Sequence, residues 1–296
     1  MQVHLVDGTY ELFRHFFAVP PRAGADGAEV GAVRGVLYSV LQLIEEGATH
    51  VGVATDHVIE SWRNDLYEGY KTGAGIDPAL RAQFEPLEAA LGALGVVVWP
   101  QISHEADDAL AAAAAVAAAD PEVAQVFICT PDKDLAQCVV DRRVVQFDRR
   151  KGQLYDAAGV REKFGVAPAS IPDWLALVGD SADGFPGLPG WGAKSAAAVL
   201  AVYGHIEQIP VAPGQWEVPG VRGAAKLAAT LQDRLDDALL FRRLATLDTT
   251  GVEVGSPTEW RWRGPRPDFA EVCAHLRDGG LARRAEAAGR ARAGAE

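Results

Sequence analysis

The sequence predicts an α/β fold: a mostly parallel central sheet flanked by helices, followed by a helical region. Three observations carry that reading. Short apolar runs alternate with amphipathic segments through the first half of the chain, and carboxylates recur just past the ends of those runs. From Pro168 onward, glycine- and proline-rich turns separate segments with helical spacing.

Gln2 to Val6 alternates polar and apolar residues and runs into Asp7-Gly8, a strand followed by a turn. Val30 to Glu46 has apolar residues at 33, 36, 37, 40, 41 and 44, the spacing of one helix face. His50 to Ala54 is a second strand, ending at Asp56. Pro78 to Leu94 is helical by the same spacing, and Val96 to Trp99 is an apolar strand. Ser103 is placed to cap an Ala-rich helix from His104 to Ala119, whose first turn is acidic. Ala124 to Cys129 is a buried strand, and Thr130-Pro131 has the form of an N-cap with proline at the first helical position. Val144 to Phe147 precedes a hairpin through Lys151-Gly152. Helices and strands in this alternation favour parallel pairing. The expected division is a core over 1–165, a helical region over 166–282, and a charged, Ala/Gly-rich tail over 283–296 that is frayed or disordered.

With 296 residues the chain buries a real core, as one large domain or two lobes. Apolar residues make up 49 %, no apolar run is long enough to span a membrane, and the N-terminus lacks the pattern of a signal peptide. Cys129, Cys138 and Cys273 are odd in number and lack paired metal-ligand spacing, so buried thiols in a cytoplasmic protein are expected. The net charge of −12 is the reverse of the usual nucleic-acid footprint, unless many carboxylates are gathered around cations that reverse the local field.

The placement of the acids supports that exception. In open α/β sheets, ligands bind outside the carboxyl ends of the strands. Asp7 follows the first strand, Asp56 the second, Glu105, Asp107 and Asp108 the third, and Asp132 and Asp134 the fourth. Asp180 and Asp183 follow later, with a spacing that lets both face one point. Any one of these could simply cap a helix. Nine together at strand ends and one turn would repel by several kcal/mol unless cations compensate. Magnesium or manganese suits an all-carboxylate site, and two such ions about 4 Å apart can clamp a phosphodiester.

These segments resemble the bacterial 5′-nucleases, the family of the 5′-exonuclease domain of DNA polymerase I and of flap endonucleases. Leu5-Val6-Asp7-Gly8 through Leu12-Phe13-Arg14 is similar to the opening motif, and Trp62-Arg63-Asn64-Asp65-Leu66 with Tyr70-Lys71 to the arch, at about 60–80. Glu105 to Asp108, Thr130 to Asp134 and Gly179 to Asp183 resemble the metal motifs. Phe185 through Lys194 resembles the helix-hairpin-helix turn, and Pro219 through Lys226 its partner. The resemblance implies a PIN-like core with a helical arch, and two divalent cations (Mg²⁺ or Mn²⁺) with a third in some readings. Asp7, Asp56, Glu105, Asp107 and Asp108 would serve one ion, and Asp132, Asp134, Asp180 and Asp183 the other. Lys71, Arg63 and Arg14 would contact phosphate. Tyr70, Gly187, Gly190, Gly192, Lys194, Arg222 and Lys226 would contact DNA, with K⁺ a companion of the helix-hairpin-helix.

The chain departs from the family pattern at Ala74, where an arginine is usual, at Pro131, usually glycine, and at Gly184, usually asparagine. The expected function is a stand-alone, monomeric, structure-specific 5′-nuclease acting on DNA flaps and 5′ ends, in primer removal and repair. A DNA-junction binding protein with weak catalysis is the alternative. An aspartyl-nucleophile phosphatase is excluded, because its second aspartate would stand where Leu5 does.

Overall fold

The computed structural model describes residues 1–294. In chain order the elements are β1 (Gln2–Asp7), α1 (Gly8–Ala18), α2 (Gly31–Glu45), β2 (His50–Asp56), α3 (Trp62–Leu66), α4 (Pro78–Arg81), α5 (Phe84–Leu94), β3 (Val97–Gln101), α6 (Ala106–Ala119) and β4 (Gln125–Cys129). These are followed by β5 (Val144–Asp148), β6 (Gln153–Tyr155), α7 (Ala157–Phe164), α8 (Ile171–Val178), α9 (Ala193–Tyr203), α10 (Ala224–Asp233), α11 (Leu235–Ala245), α12 (Phe269–His275) and α13 (Gly279–Ala293). Two compact units emerge: Met1–Ser61, Gly73–Thr130 and Thr249–Glu296 form the first, and Trp62–Thr72 with Pro131–Asp248 the second.

In the first unit four strands lie in the order β3-β2-β1-β4, every pairing parallel. Val3, Leu5, Val53 and Ile128 are wholly buried, as strands covered on both faces require. The alanines of α6 let it lie close to the sheet: Ala109, Ala113 and Ala117 have no exposed surface. The second unit pairs β5 with β6 antiparallel and otherwise is helical, around Leu175, Leu177, Phe185, Val199 and Phe241. The predicted α/β class with mostly parallel strands is borne out. Among the described residues, no helix is long and apolar enough to cross a membrane.

Local chemistry explains where elements differ from expectation. Asp7-Gly8 is no turn: Asp7 caps α1, accepting from Tyr10 N at 2.8 Å. Gly8 allows the helix to begin against β2, since a Cβ there would meet the Ala54 carbonyl at 2.8 Å. The helix expected over 78–94 breaks at Gln83, whose buried side chain accepts from Ala32 N and Val33 N, both at 3.2 Å. It thereby satisfies donors in the first turn of α2, which lacks a cap of its own. Ser103 caps nothing; α6 starts later, on a capping box of Glu105 and Asp108. Thr130 does not cap a helix either, and its Oγ1 donates to Asp7 Oδ2 at 3.0 Å. The arch segment carries one short helix, α3, followed by turns around Gly69, Gly73 and Gly75.

The tail expected to be disordered from 283 is instead the helix α13 over the described residues, with 295 and 296 lying outside them. Leu281 and Ala285, four apart, are buried and dock it, which the charged composition conceals.

Glu11 links α1 to α2. Its carboxylate is 3 % exposed and accepts from Arg14 at 2.6 Å and Ser39 Oγ at 2.7 Å. Burial pushes its pKa up, but the hydrogen bonds from His15, Arg14 and Ser39 and the Arg14 charge outweigh this and hold it at about 2, against an ordinary 4.5. A depressed carboxyl stabilises the fold above its unfolded pKa, and that contribution fades as pH falls from about 4.5 towards 2. Glu11→Gln is therefore expected to cost about 3 kcal/mol at pH 7 and far less near pH 2.5, measured by urea denaturation at both pH values.

Candidate metal centre

In the first unit, parallel strands in register bring acidic residues to the carboxyl edge of the sheet. Asp7 closes β1 opposite Ala54, and Asp56 closes β2 opposite Gln101. The chain after β3 adds Glu105, Asp107 and Asp108 at the start of α6. Local bonds steer four of these carboxylates. Thr130 and Tyr10 hold Asp7, Ala106 N donates to Asp56 Oδ1 at 2.8 Å, Ser61 Oγ donates to Glu105 at 2.8 Å, and Glu105 N donates to Asp108 Oδ2 at 3.0 Å. Asp108 has no exposed surface and completes the capping box with Glu105.

The second unit holds the sharper feature. Asp134, Asp180 and Asp183 bring one carboxylate oxygen each to within 4.8 Å of one another. All three are buried, at 5 %, 4 % and 8 % exposure. The turn from 180 to 185 folds on itself, since Asp180 Oδ1 accepts from Ala182 N and its carbonyl from Gly184 N. Gly184, at φ +89°, lies so close to the Gly69 carbonyl that a Cβ would stand 2.1 Å from it. That contact and the positive φ require glycine at 184. The contact also seats Lys71, whose N–H donates to the Asp183 carbonyl at 3.0 Å and whose Nζ pairs with Asp183 Oδ1 at 3.0 Å. Asp132 is exposed and accepts from Asp134 N at 3.0 Å.

Electrostatically the cluster is under-compensated. Burial pushes the Asp134 carboxyl well up, and the charges of Asp132, Asp183 and Asp180 push it further, against a smaller opposing effect of Lys133. Lys133 ion-pairs Asp180 and stands 3.8 Å from Asp134 Oδ1; despite burial, its neighbours Asp134, Asp180 and Asp132 raise its own pKa. Sequence reasoning passed over Lys133, although its place between two aspartates was the available signal. Asp134 Oδ1 is buried with no hydrogen-bond donor. An orphaned buried acceptor beside two more carboxylates fits a hard divalent cation, whose oxygen ligands at about 2.1 Å place one another within about 4.2 Å.

Farther along this unit, Gly190, Gly192, Lys194 and Ser195 face Pro219, Gly220 and Arg222 across a surface concavity of about 710 Å³. Lys194 and Arg222 are exposed there, as is Lys226 on α10 beside it in sequence. Backbone N–H groups at the start of α9 and these cations make an anion-receptive surface without net basicity.

Residues 2–165 match the family described as 5′-3′ exonuclease, N-terminal resolvase-like domain, and residues 166–268 match 5′-3′ exonuclease, C-terminal SAM fold. The chain belongs to the 5′-3′ exonuclease family. Among its relatives, the 5′-3′ exonuclease of Aquifex aeolicus is 33 % identical over 70 % of this chain and 71 % of that protein. DNA polymerase I of Pseudomonas aeruginosa is 38 % identical over 83 % of this chain, which spans only 27 % of that polymerase. Among solved structures, the bacteriophage T5 5′-exonuclease with bound zinc shares 18 % identity over 97 % of each chain, with a TM-score of 0.64. Flap endonuclease-1 of Methanococcus jannaschii shares 14 % over 98 % of this chain and 93 % of its own, at 0.61. These two show the fold.

Within this 5′-3′ exonuclease fold, three expected contact residues have other work. Arg63, expected at phosphate, is 1 % exposed; its guanidinium donates to the Leu244 carbonyl at 2.7 Å and the Thr246 carbonyl at 3.2 Å, closing the C-terminal end of α11. Tyr70, expected at DNA, is 3 % exposed in the core of the second unit. Gly187 is buried against Gly179, where a Cβ would stand 2.4 Å from the Gly179 nitrogen, outside the concavity that Gly190 and Gly192 line. All three lie in stretches whose motif resemblance carries structural and contact residues together. Arg14 stays partly exposed and paired with Glu11 at 2.6 Å.

Proposed function

We propose that this chain is a structure-specific 5′-nuclease that hydrolyses DNA phosphodiester bonds at 5′ flaps and 5′ ends, with divalent cations, Mg²⁺ or Mn²⁺, as cofactors. The single observation that carries this is the buried Asp134–Asp180–Asp183 group with its unsatisfied Asp134 oxygen, in a chain of the 5′-3′ exonuclease family. T5 flap endonuclease with DNA and metal ions has the same fold, which supports the reading.

Asp134, Asp180 and Asp183, with Asp132 alongside, would hold one ion; Asp7, Asp56, Glu105 and Asp107 would hold the other, with Asp108 orienting Glu105. Bound there, such cations supply a hydroxide nucleophile at neutral pH and neutralise charge on the leaving oxygen. The chain's own part is positional. Carboxylates fixed by Thr130, Ser61 and Ala106 N need no reorganisation, and Lys71 leaves Asp183 to bind phosphate as DNA arrives. Arg14, partly exposed on α1, is a second candidate for phosphate contact. The surface of Gly190, Gly192, Lys194 and Arg222, with K⁺ as a companion, would grip duplex backbone by shape rather than sequence. Primer removal and repair are the corresponding roles, for a monomer.

The test compares 5′-flap duplex, nicked duplex and single strand with Mg²⁺, Mn²⁺ or chelator. Flap cleavage that chelation stops, slowed about 100-fold by Lys71→Ala, is expected. Cleavage that survives chelation refutes the reading, and flap binding without cleavage under any metal would favour the junction-binding alternative.

A further inference from the structure

The last stretch of the described chain differs in charge from the rest. Residues 261–292 contain eight arginines against four acidic residues, in a protein of net charge −12. Part of this segment converges on one end of the first unit. Arg261 bridges His50 at the start of β2, and Trp262 N donates to the Thr49 carbonyl at 2.9 Å. Arg292 of α13 lies 5.2 Å over the Trp262 ring and donates to the Ile44 carbonyl at 3.0 Å. Gly264 and Gly289 pass so closely that a Cβ on Gly289 would stand 3.4 Å from Gly264 Cα. That contact brings the stretch holding Arg263 and Arg266 against the turn of α13 holding Arg290.

Five arginines thus gather at the amino edge of the sheet, with Arg261, Arg263, Arg266 and Arg290 exposed. Arg290 pairs with Glu286 at 3.6 Å, with both groups more than half exposed, and within the stretches 261–268 and 286–292 five arginines stand against two acids, Asp268 and Glu286. The excess is felt locally: burial and then Arg261 lower the pKa of Arg292, and burial, Arg261, the chain amino terminus and Arg292 lower that of His50.

We infer that this arginine surface at the amino edge is a second DNA-backbone site, engaging a duplex arm of the substrate away from the carboxylates. The six residues of β1 separate the two edges by about 20 Å. A branched substrate has more than one arm to offer, and holding a second arm raises the effective concentration of the first. The surface suits a polyanion better than an acidic protein. Protein interfaces are anchored by apolar groups at their centre. Here Trp262 and Leu281 are buried, and no large exposed hydrophobic residue falls in 261–294. Arginine in this setting reads phosphate, not sequence.

This inference rests on the DNA reading above, and its test separates the two. Binding of the full chain to 5′-flap DNA is measured by anisotropy in chelator across a salt series, with arms of about 20 or about 6 base pairs. Arg263→Ala/Arg266→Ala/Arg290→Ala is expected to weaken long-arm binding about tenfold and to lower the salt slope by about 2 to 3. Binding and cleavage of the short-arm substrate should match wild type, and the corresponding Arg→Lys triple should keep the long-arm slope. An unchanged affinity and slope on long arms, where wild type binds and cuts normally, overturns this inference alone. So does a variant that loses binding to poly-glutamate but keeps its affinity for DNA. A wild type that neither binds nor cuts flap duplex overturns the nuclease reading and this one with it.

Discussion

Asp134→Asn is expected to stop cleavage while making the metal-free protein more stable. The side chain is buried, its Oδ1 accepts no hydrogen bond, and Asp180 and Asp183 lie against it. Without a cation, three carboxylates share a pocket in which Lys133 pairs with Asp180 and Lys71 with Asp183. Asparagine keeps the shape, removes one negative charge and presents a donor to its acidic neighbours. Relief of repulsion and desolvation is worth about 1–3 kcal/mol, seen as a higher Tm in chelator. The same change removes a ligand, and losing an ion's electrostatic contribution of several kcal/mol slows cleavage about 1,000-fold or more. Added Mg²⁺ should raise the Tm of wild type more than that of the variant. A variant that is less stable in chelator, or that cuts at the wild-type rate, contradicts this account of the cluster.

The second large effect concerns Arg63, which motif resemblance places at phosphate and the structure places in the interior. A guanidinium with 1 % exposure, bonded to the Leu244 and Thr246 carbonyls and lying 4.4 Å from the Trp62 ring, is a structural cation. Arg63→Ala leaves these carbonyls without that donor at the negative end of α11 and opens a cavity beside Trp62. The expected cost is about 3–5 kcal/mol by urea denaturation, without DNA or metal present. Were the residue mainly a phosphate contact, stability would hold and only cleavage would fall.

Periodicity exposed the strands and most of the helices because apolar faces repeat locally. It failed where a distant partner decides the outcome. Nothing near Asp7-Gly8 announces a helix, because what permits one is the approach of Gly8 to Ala54. The break at Gln83 serves the first turn of α2, some 50 residues away in sequence. For α13, two buried residues among exposed arginines outweigh a composition that reads as tail. At the site, acidic positions were legible because strands of parallel register end together. Their division of labour was not. Asp108 as a capping partner, Lys133 as an internal counter-charge and Tyr70 as core depend on burial, which spacing does not encode.

The central claim is that a cation satisfies the buried carboxylates. Calorimetric titration of Mn²⁺ into DNA-free wild type and Asp134→Asn tests it most directly. The wild type should take up at least one ion that the variant no longer binds. Equal stoichiometry and affinity in the two proteins would contradict the claim.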